Sequence, residues 1–186
     1  MTKIILSALF VSILFSCKKE NQQTDQKNSS SDSVQISDKK PSQTDKISLK
    51  EITQSALTEN LAKNNDTLYV TNFFATWCGP CMMEIPHFKN EMEELKGKPV
   101  KFTFVNIFNK PEWNDEVPKF ASQSGLGNHI VLLDDAKLDA SFFTQFKIWK
   151  GNGIPFTYFR KGNKTEESEG SVSAEMLKEK INGFLK

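Results

Sequence analysis

The chain has 186 residues, a length that fits one folded domain with appended segments better than two full-sized catalytic domains. Its 24 Lys and Arg residues nearly balance 23 Asp and Glu residues, and the net charge of +1 gives no electrostatic reason to expect nucleic acid as a partner. Three cysteines are too few for a small fold held together by disulfides. Because one lies near the N-terminus and two lie close together mid-chain, we expect separate roles for them.

The N-terminus has the pattern of a secretory signal, since one lysine precedes an almost uninterrupted apolar run, Ile4 to Phe15. A helix of this length spans only about 18 Å, short of the roughly 30 Å hydrocarbon core, so cleavage is favoured over a permanent transmembrane helix. The run ends in Leu14-Phe15-Ser16-Cys17, which resembles a bacterial lipoprotein signal. The resemblance implies that residues 1–16 are a signal peptide and that Cys17 carries the lipid. An ordinary cysteine after a plain signal peptide is the alternative.

Residues 17–46 are dominated by Ser, Gln, Asn, Thr, Asp and Lys, and only Val34 and Ile36 are sizeable apolar residues. Such a segment cannot bury enough surface to offset the entropy that ordering would cost. We expect a disordered tether that lets a folded domain, residues 47–186, reach partners away from a membrane. A solvated tail without further function is equally compatible with this composition.

The remaining residues alternate between helical and strand patterns, which indicates an α/β domain. In chain order the predicted elements are a helix over 53–63, a strand over 68–74, a helix over 81–96, a strand over 100–108, a short helix near 118–124, a strand over 130–133, a helix over 138–146, a strand over 154–160, a turn over 161–164 followed by a short fifth strand, and a helix from the N-cap Ser173 to Leu185.

The chemistry is expected at Cys78 and Cys81, two thiols three positions apart where a buried strand passes into a helix. This arrangement suits a reversible disulfide. Unpaired N–H groups and the macrodipole at a helix N-terminus favour the thiolate, so Cys78 is the predicted nucleophile and Cys81 the thiol that resolves the mixed disulfide. Gly79 would allow the tight turn, and Pro80 would start the helix.

The run Trp77-Cys78-Gly79-Pro80-Cys81 resembles the active-site motif of the thioredoxin superfamily, and Gly153-Ile154-Pro155-Phe156 resembles its second feature, a proline before a strand. The resemblance implies a thioredoxin-like fold with a central mixed sheet flanked by helices. It also implies that Pro155 is cis and that Ile154 presents backbone groups to a substrate, with Trp77, Gly79 and Pro80 at the same site. From the sequence alone, a trans proline is the alternative.

Within the superfamily the chain is similar to the membrane-tethered, extracytoplasmic TlpA and ResA-like proteins. The likeness rests on the lipoprotein-like signal, on an extra segment between the second and third strands, and on Cys81-Met82-Met83-Glu84-Ile85-Pro86, which follows their CxxExP pattern. It implies an N-terminal extension, that insertion in the fold, and Glu84 as the candidate for proton transfer near the thiols. An exposed glutamate on the helix surface is the alternative. Thioredoxins proper carry a buried acid six residues before the first cysteine, where this chain has Asn72.

These resemblances imply an extracytoplasmic thiol-disulfide oxidoreductase, anchored by lipid on the periplasmic side of a bacterial membrane and monomeric, with no cofactor beyond its redox-active disulfide. The Gly-Pro dipeptide and the isoleucine before the proline resemble those of reducing members, which implies protein disulfides as substrates, with cytochrome c maturation as one setting, and a membrane electron donor. Oxidation or isomerisation of disulfides stays open. So does a lipid-anchored binding protein that captures a partner or a metal through its thiols, with His87 and His129 completing a zinc site; we expect no bound metal.

Overall fold

The computed structural model describes residues 47–186, so the predicted signal peptide and tether lie outside the described residues. In chain order the elements are β1 (Lys50–Glu51), α1 (Gln54–Leu61), β2 (Leu68–Phe74), α2 (Gly79–Glu94), β3 (Val100–Asn106), α3 (Glu116–Ser124), β4 (Ile130–Leu132), β5 (Phe156–Lys161), β6 (Lys164–Glu169) and α4 (Ala174–Leu185). Short 3-10 turns lie at Lys110–Glu112, Gly127–His129, Asp135–Lys137 and Phe142–Gln145.

The strands form one mixed sheet in the order β1-β4-β3-β2-β5-β6. The strands β1, β4, β3 and β2 run parallel to one another, whereas β5 is antiparallel to both of its neighbours, β2 and β6. Strand β2 lies between β3 and β5 and is almost wholly buried, which explains why its sequence is a nearly continuous apolar run. The mixed sheet flanked by helices confirms the predicted fold class.

Successive side chains of β2 point to opposite faces of the sheet, and each face has its own core. Phe74 packs in a cluster that includes the buried faces of α2, α3 and α4. Phe73 packs in the other cluster, with α1 and the aromatic residues that precede β5. The loop between β2 and α2 therefore leaves the sheet at its parallel carboxyl edge, supported from both sides.

Local sequence signals locate several element ends correctly. The side chain of Thr53 accepts the Ala56 N–H at the start of α1, and that of Ser173 accepts the Met176 N–H at the start of α4. Helix α3 ends at Gly125, which adopts φ +74°, a conformation that favours glycine. The second and third predicted strands correspond to β3 and β4. The 3-10 turn at Lys110–Glu112 and α3 lie between them, in the predicted extra segment.

The predicted helix over 138–146 is wrong. Only two 3-10 turns form near it, because local side-chain hydrogen bonds replace a helical ladder. Asp139 accepts the Ser141 N–H with its carboxylate and is held by Gln54 at the start of α1. Two of the apolar residues in this pattern, Phe142 and Phe146, are nevertheless buried in the core. Strand β1 was not predicted, because a two-residue strand gives no periodicity to read.

No helix within residues 47–186 is both long and apolar enough to cross a membrane.

Candidate active site

The turn between β2 and α2 brings the two predicted cysteines together. Cys78 is the N-cap residue of α2, in an extended conformation, and Cys81 lies in the first turn of that helix. Their sulfurs are joined in a disulfide. The Cys78 Sγ also accepts the Cys81 N–H at 3.2 Å, so the sulfur occupies the position of a helix-capping oxygen. After reduction, that N–H and the helix dipole would stabilise a Cys78 thiolate.

The cysteines differ in access to their surroundings. Cys81 is fully buried, and Cys78 retains a small exposed fraction beside the exposed residues Gly79 and Pro80. An incoming sulfur can therefore reach Cys78 from this side. Gly79, which was expected to allow the tight turn, lies in the first turn of α2, and a Cβ added there would meet no heavy atom within 4 Å, so this position does not require glycine. What the absence of a side chain does provide is open space beside the sulfur.

The second motif lies directly opposite the first. The bond between Ile154 and Pro155 is cis, as the resemblance implied. The carbonyl oxygen of Ile154 lies 3.8 Å from the Cys78 Sγ, and the Pro155 carbonyl accepts the Gly170 N–H at 2.9 Å. Ile154, the predicted substrate-contacting residue, is thus half-buried beside the Cys78 sulfur, and its backbone oxygen faces that sulfur.

Trp77 forms an exposed rim beside the disulfide, with 62% of its surface accessible. Its indole nevertheless has a fixed anchor, because Nε1 donates to the Phe108 carbonyl at 3.0 Å. Phe108 has φ +56° and is the one non-glycine residue in the described range with positive φ. Next to it, the buried Asn109 donates to the Thr76 hydroxyl at 2.9 Å. The loop after β3 thereby holds the residues just before Cys78, a role that no sequence signal pointed to.

Glu84 lies one turn after Cys81 on α2 and is fully buried, so the alternative of an exposed surface glutamate is wrong. Its two carboxylate oxygens each accept one hydrogen bond at 2.8 Å, Oε1 from the Asn72 side chain and Oε2 from the Val172 N–H. Burial raises the pKa of Glu84 to about 7, although these hydrogen bonds and the charge of His87 act in the opposite direction.

The loop before α4 also belongs to the site, although sequence reasoning identified it only as a helix cap. Within it, Gly170 bonds the carbonyl of Pro155, Ser171 donates to the Pro80 carbonyl at 3.4 Å, and Val172 bonds Glu84. One short loop thus ties together the cis proline, the start of α2 and the buried acid. The sequence could not show this, because the partners lie up to 91 positions away.

The histidines of the alternative metal site are engaged elsewhere. His87 Nδ1 lies 3.0 Å from the Val172 carbonyl, and His129 Nδ1 lies 3.3 Å from the Phe102 carbonyl. Across residues 47–186 no group of three or more His, Cys, Asp or Glu side chains is arranged to hold a metal ion. Cys17, the predicted lipid attachment site, lies outside the described residues.

A mixed sheet with a cysteine pair at the start of a helix and a cis proline opposite defines a thioredoxin-like domain. The Thioredoxin family model matches residues 48–124. The likeness in fold extends to the crystal structure of a thioredoxin-family thiol:disulfide interchange protein from Chlorobium tepidum, with a TM-score of 0.52 and 22% identity, covering 69% of this chain and 85% of that one. Residues 47–186 therefore have a thioredoxin-like fold, and the part that matches the Thioredoxin family model lies within them.

Relatives of known name include thioredoxin from Listeria monocytogenes, 34% identical over 34% of this chain and 58% of that protein. Sporulation thiol-disulfide oxidoreductase A from Bacillus subtilis is 28% identical over 59% of this chain and 64% of its own length. Thiol-disulfide oxidoreductase ResA from the same organism is 34% identical over 37% of each chain. The chain thus spans less than two thirds of the length of each of these relatives.

Proposed function

We propose that the protein is a thiol-disulfide oxidoreductase that reduces disulfides of substrate proteins outside the cytoplasm. The observation that carries the proposal is the position of Cys78, whose sulfur caps α2, faces the Ile154 carbonyl and is bonded to the buried Cys81. A purely structural disulfide gains little from so short a loop, and it would need neither the cap nor the access. The names of the relatives agree with this activity.

The reaction begins from the dithiol. The Cys78 thiolate attacks one sulfur of the substrate disulfide, which forms a mixed disulfide and releases the other substrate sulfur as a thiolate that takes up a proton. Cys81 then loses its proton and attacks the Cys78 sulfur, which breaks the mixed disulfide and frees the second substrate thiolate. Two electrons have passed to the substrate, and the protein ends with the disulfide seen in the structure.

Glu84 is proposed as the group that takes the proton from Cys81. A buried thiol is hard to ionise, and a base of pKa about 7 one turn away can accept its proton near neutral pH without being permanently charged. The burial of Glu84 and its position on the same face of α2 support this role. Its proton would pass on to the departing substrate thiolate or to water.

The cis-proline loop is proposed as the substrate contact. An extended substrate segment can pair with the backbone at Ile154, which places its disulfide over Cys78, while Trp77, Gly79 and Pro80 form the surrounding exposed rim. Recognition through backbone groups demands no particular substrate side chain. This mode suits a protein that acts on disulfides in several contexts.

Localisation and electron supply follow from the sequence pattern and remain part of the proposal. Lipid on Cys17 would hold the protein on the periplasmic side of a bacterial membrane, and residues 18–46 would give the domain reach. A reductant in an oxidising compartment must regain two electrons per cycle, so a membrane dithiol donor is implied. Cytochrome c maturation is one setting that would need such a reductant.

Trapping tests the roles of the two thiols. In Cys81→Ser the nucleophile remains but the mixed disulfide cannot be resolved, so covalent complexes with substrate proteins should accumulate on non-reducing gels. The matched control, Cys78→Ser, keeps the fully buried Cys81 thiol without the proposed nucleophile and should trap few or none. Equal trapping by both variants, or by neither, would contradict the assigned roles.

The direction of the reaction is tested by the equilibrium reduction potential of the cysteine pair in graded dithiol buffers. A value near that of thioredoxin, roughly −270 mV, supports a reductant, whereas one near that of DsbA, about −120 mV, would reverse the direction. Failure to form a reversible intramolecular disulfide would contradict the proposed enzyme activity and favour a binding protein.

A further inference from the structure

Asn72 lies between Glu84 and β5 with an unusual distribution of hydrogen bonds. Its Nδ2 group donates to Glu84 Oε1 at 2.8 Å and to the Thr157 hydroxyl at 3.0 Å, so both N–H bonds of the amide are used. All three side chains are almost completely buried. The carbonyl oxygen of the same amide, Oδ1, is buried and has no hydrogen-bond partner within residues 47–186. An unpaired buried acceptor of this kind needs an explanation.

The hydrogen bonds in place suit the ionised state of Glu84 better than the protonated state. Both carboxylate oxygens accept hydrogen bonds, one from Asn72 and one from the Val172 N–H, which is what an ionised carboxylate requires. A protonated carboxyl group keeps some acceptor capacity but gains an O–H that needs an acceptor, and the two groups bonded to its oxygens are both donors. The neighbouring acceptor without a partner is Asn72 Oδ1. A half-turn of the Asn72 side-chain amide would place Oδ1, rather than the N–H group, opposite Glu84.

We propose that Asn72 is a positioning residue whose amide turns with the protonation state of Glu84, donating to the carboxylate and accepting from the carboxylic acid. This inference rests on the proposed function, in which Glu84 gains and loses the proton of Cys81. Thr157 supports both orientations, because a hydroxyl can accept from the amide N–H or donate to the amide oxygen. The amide itself neither gains nor loses a proton or an electron.

The neutral amide of Asn72 affects the titration of Glu84 differently from a carboxylate at position 72. An acid at position 72 would bring a second negative charge against Glu84, and the two would titrate as a coupled pair. Asn72 serves either state of one acid without adding charge. The other group that faces Glu84 with a charge is His87, on the next turn of α2, which also acts on Glu175; the Val172 main chain and the cysteine pair complete the surroundings.

The first test is an NMR titration of the full chain labelled with 13C and 15N, from about pH 5 to pH 9. The Glu84 carboxyl carbon reports its protonation, and NOEs from the Asn72 side-chain amide protons to the Glu84 side chain report the amide orientation. We expect these NOEs at pH values above the midpoint of the Glu84 titration, where the carboxylate is ionised. They should disappear below the midpoint, because the Asn72 N–H bonds then point away from the protonated acid. NOEs that persist while Glu84 becomes protonated would overturn the proposal.

The second test compares Asn72→Leu with Thr157→Val. The first removes the donor to the Glu84 carboxylate, so the Glu84 midpoint should rise by about one pH unit or more. The matched control removes a hydrogen bond of the same cluster that does not touch Glu84, and the midpoint should move by only a small fraction of that amount. Equal shifts of the Glu84 midpoint in the two variants would indicate a general loosening of the packing around Glu84 and would contradict the role proposed for Asn72. If Asn72→Leu does not fold, the NOE titration still decides.

These measurements also separate this inference from the proposed function. They follow protonation and amide orientation and need no turnover, so they remain informative if the cysteine pair reduces no substrate protein. In that case the proposed function fails while the amide turn stands. If disulfides are reduced and trapped as expected but the amide keeps its orientation, only the inference about Asn72 fails.

Discussion

Glu84 shows how opposing local effects produce a useful acid. Loss of water around the buried carboxyl raises its pKa most strongly, while the Val172 N–H, the Asn72 amide and the His87 charge lower it. The net result, a pKa of about 7, lets both protonation states be populated near neutral pH. A fully solvated glutamate could not accept a thiol proton and release it again over this pH range with similar ease.

The raised pKa predicts a pH-dependent stability. Between the usual value of 4.5 and about 7 the folded state binds more protons at Glu84 than the unfolded state, so the free energy of unfolding should fall as pH rises through this window. The loss should approach roughly 3 kcal/mol, from about 1.36 kcal/mol per pKa unit. Urea unfolding of the oxidised protein at several pH values measures it.

Glu84→Gln is the control for this prediction, since a neutral side chain of similar shape does not titrate. The difference in unfolding free energy between the two proteins should shrink or reverse in favour of the variant as pH rises. A difference that stays constant from below 4.5 to above 7 would show that Glu84 does not have the raised pKa.

The segment between the last 3-10 turn and β5 is the element on which the position of Ile154 depends. Trp149 stacks on Phe156 with ring centroids 4.5 Å apart, and its Nε1 donates to the Gly153 carbonyl at 2.7 Å. Glu167 on β6 accepts the backbone N–H groups of two residues just before Trp149. Trp149 is fully buried, and its hydrogen bond also holds the backbone next to the cis proline.

Two glycine substitutions test how tightly this segment is packed. Gly151 has φ +79°, and an added Cβ would lie 2.6 Å from the Phe143 ring, whereas Gly125 has φ +74° with no heavy atom within 4 Å of such a Cβ. Gly125→Ala should cost about 1 to 2 kcal/mol from backbone strain alone. Gly151→Ala should cost about 1 to 3 kcal/mol more, because the ring must move.

Urea unfolding of both variants measures these costs, and disulfide exchange by Gly151→Ala should also slow because Ile154 lies on the same segment. Equal stability of the two alanine variants would show that the aromatic residues yield freely and that the segment is not held as described.

The whole domain depends on a sheet covered on both faces. Phe88 lies in the core formed with α2, α3 and α4, and Phe146 lies in the core on the α1 face. Both cores rest on the same strands, because Phe73 and Phe74 are neighbours on β2 and point in opposite directions. Neither core has its own sheet, so the two faces should unfold together.

Truncation of either phenylalanine tests this coupling. Phe88→Ala and Phe146→Ala should each lower the unfolding free energy by about 3 to 5 kcal/mol, and each should shift a single transition. Far-UV and near-UV circular dichroism during urea unfolding should give the same midpoint within each variant. A variant in which the near-UV signal is lost first would contradict one cooperative unit.

The sequence alone predicted the parts of the site that are local. Cys78 at a helix start, Cys81 one turn further and the N-cap Ser173 depend on contacts within a few residues, and short-range patterns report such contacts well. The same patterns failed over 138–146, where helical apolar spacing was present but bonds from Asp139 to α1 and to its own turn replaced the helix.

Other features arose only from the tertiary structure, because their partners are distant along the chain. The burial of Glu84 depends on a strand 12 positions earlier and a loop 88 positions later. The sequence determined that two thiols and a nearby acid share one helix and that a proline precedes a later strand. The tertiary structure decided that the acid is buried, which raises its pKa, and that a backbone oxygen faces the Cys78 sulfur. Only folding removes water from around the acid and sets the distance between residues far apart in the chain.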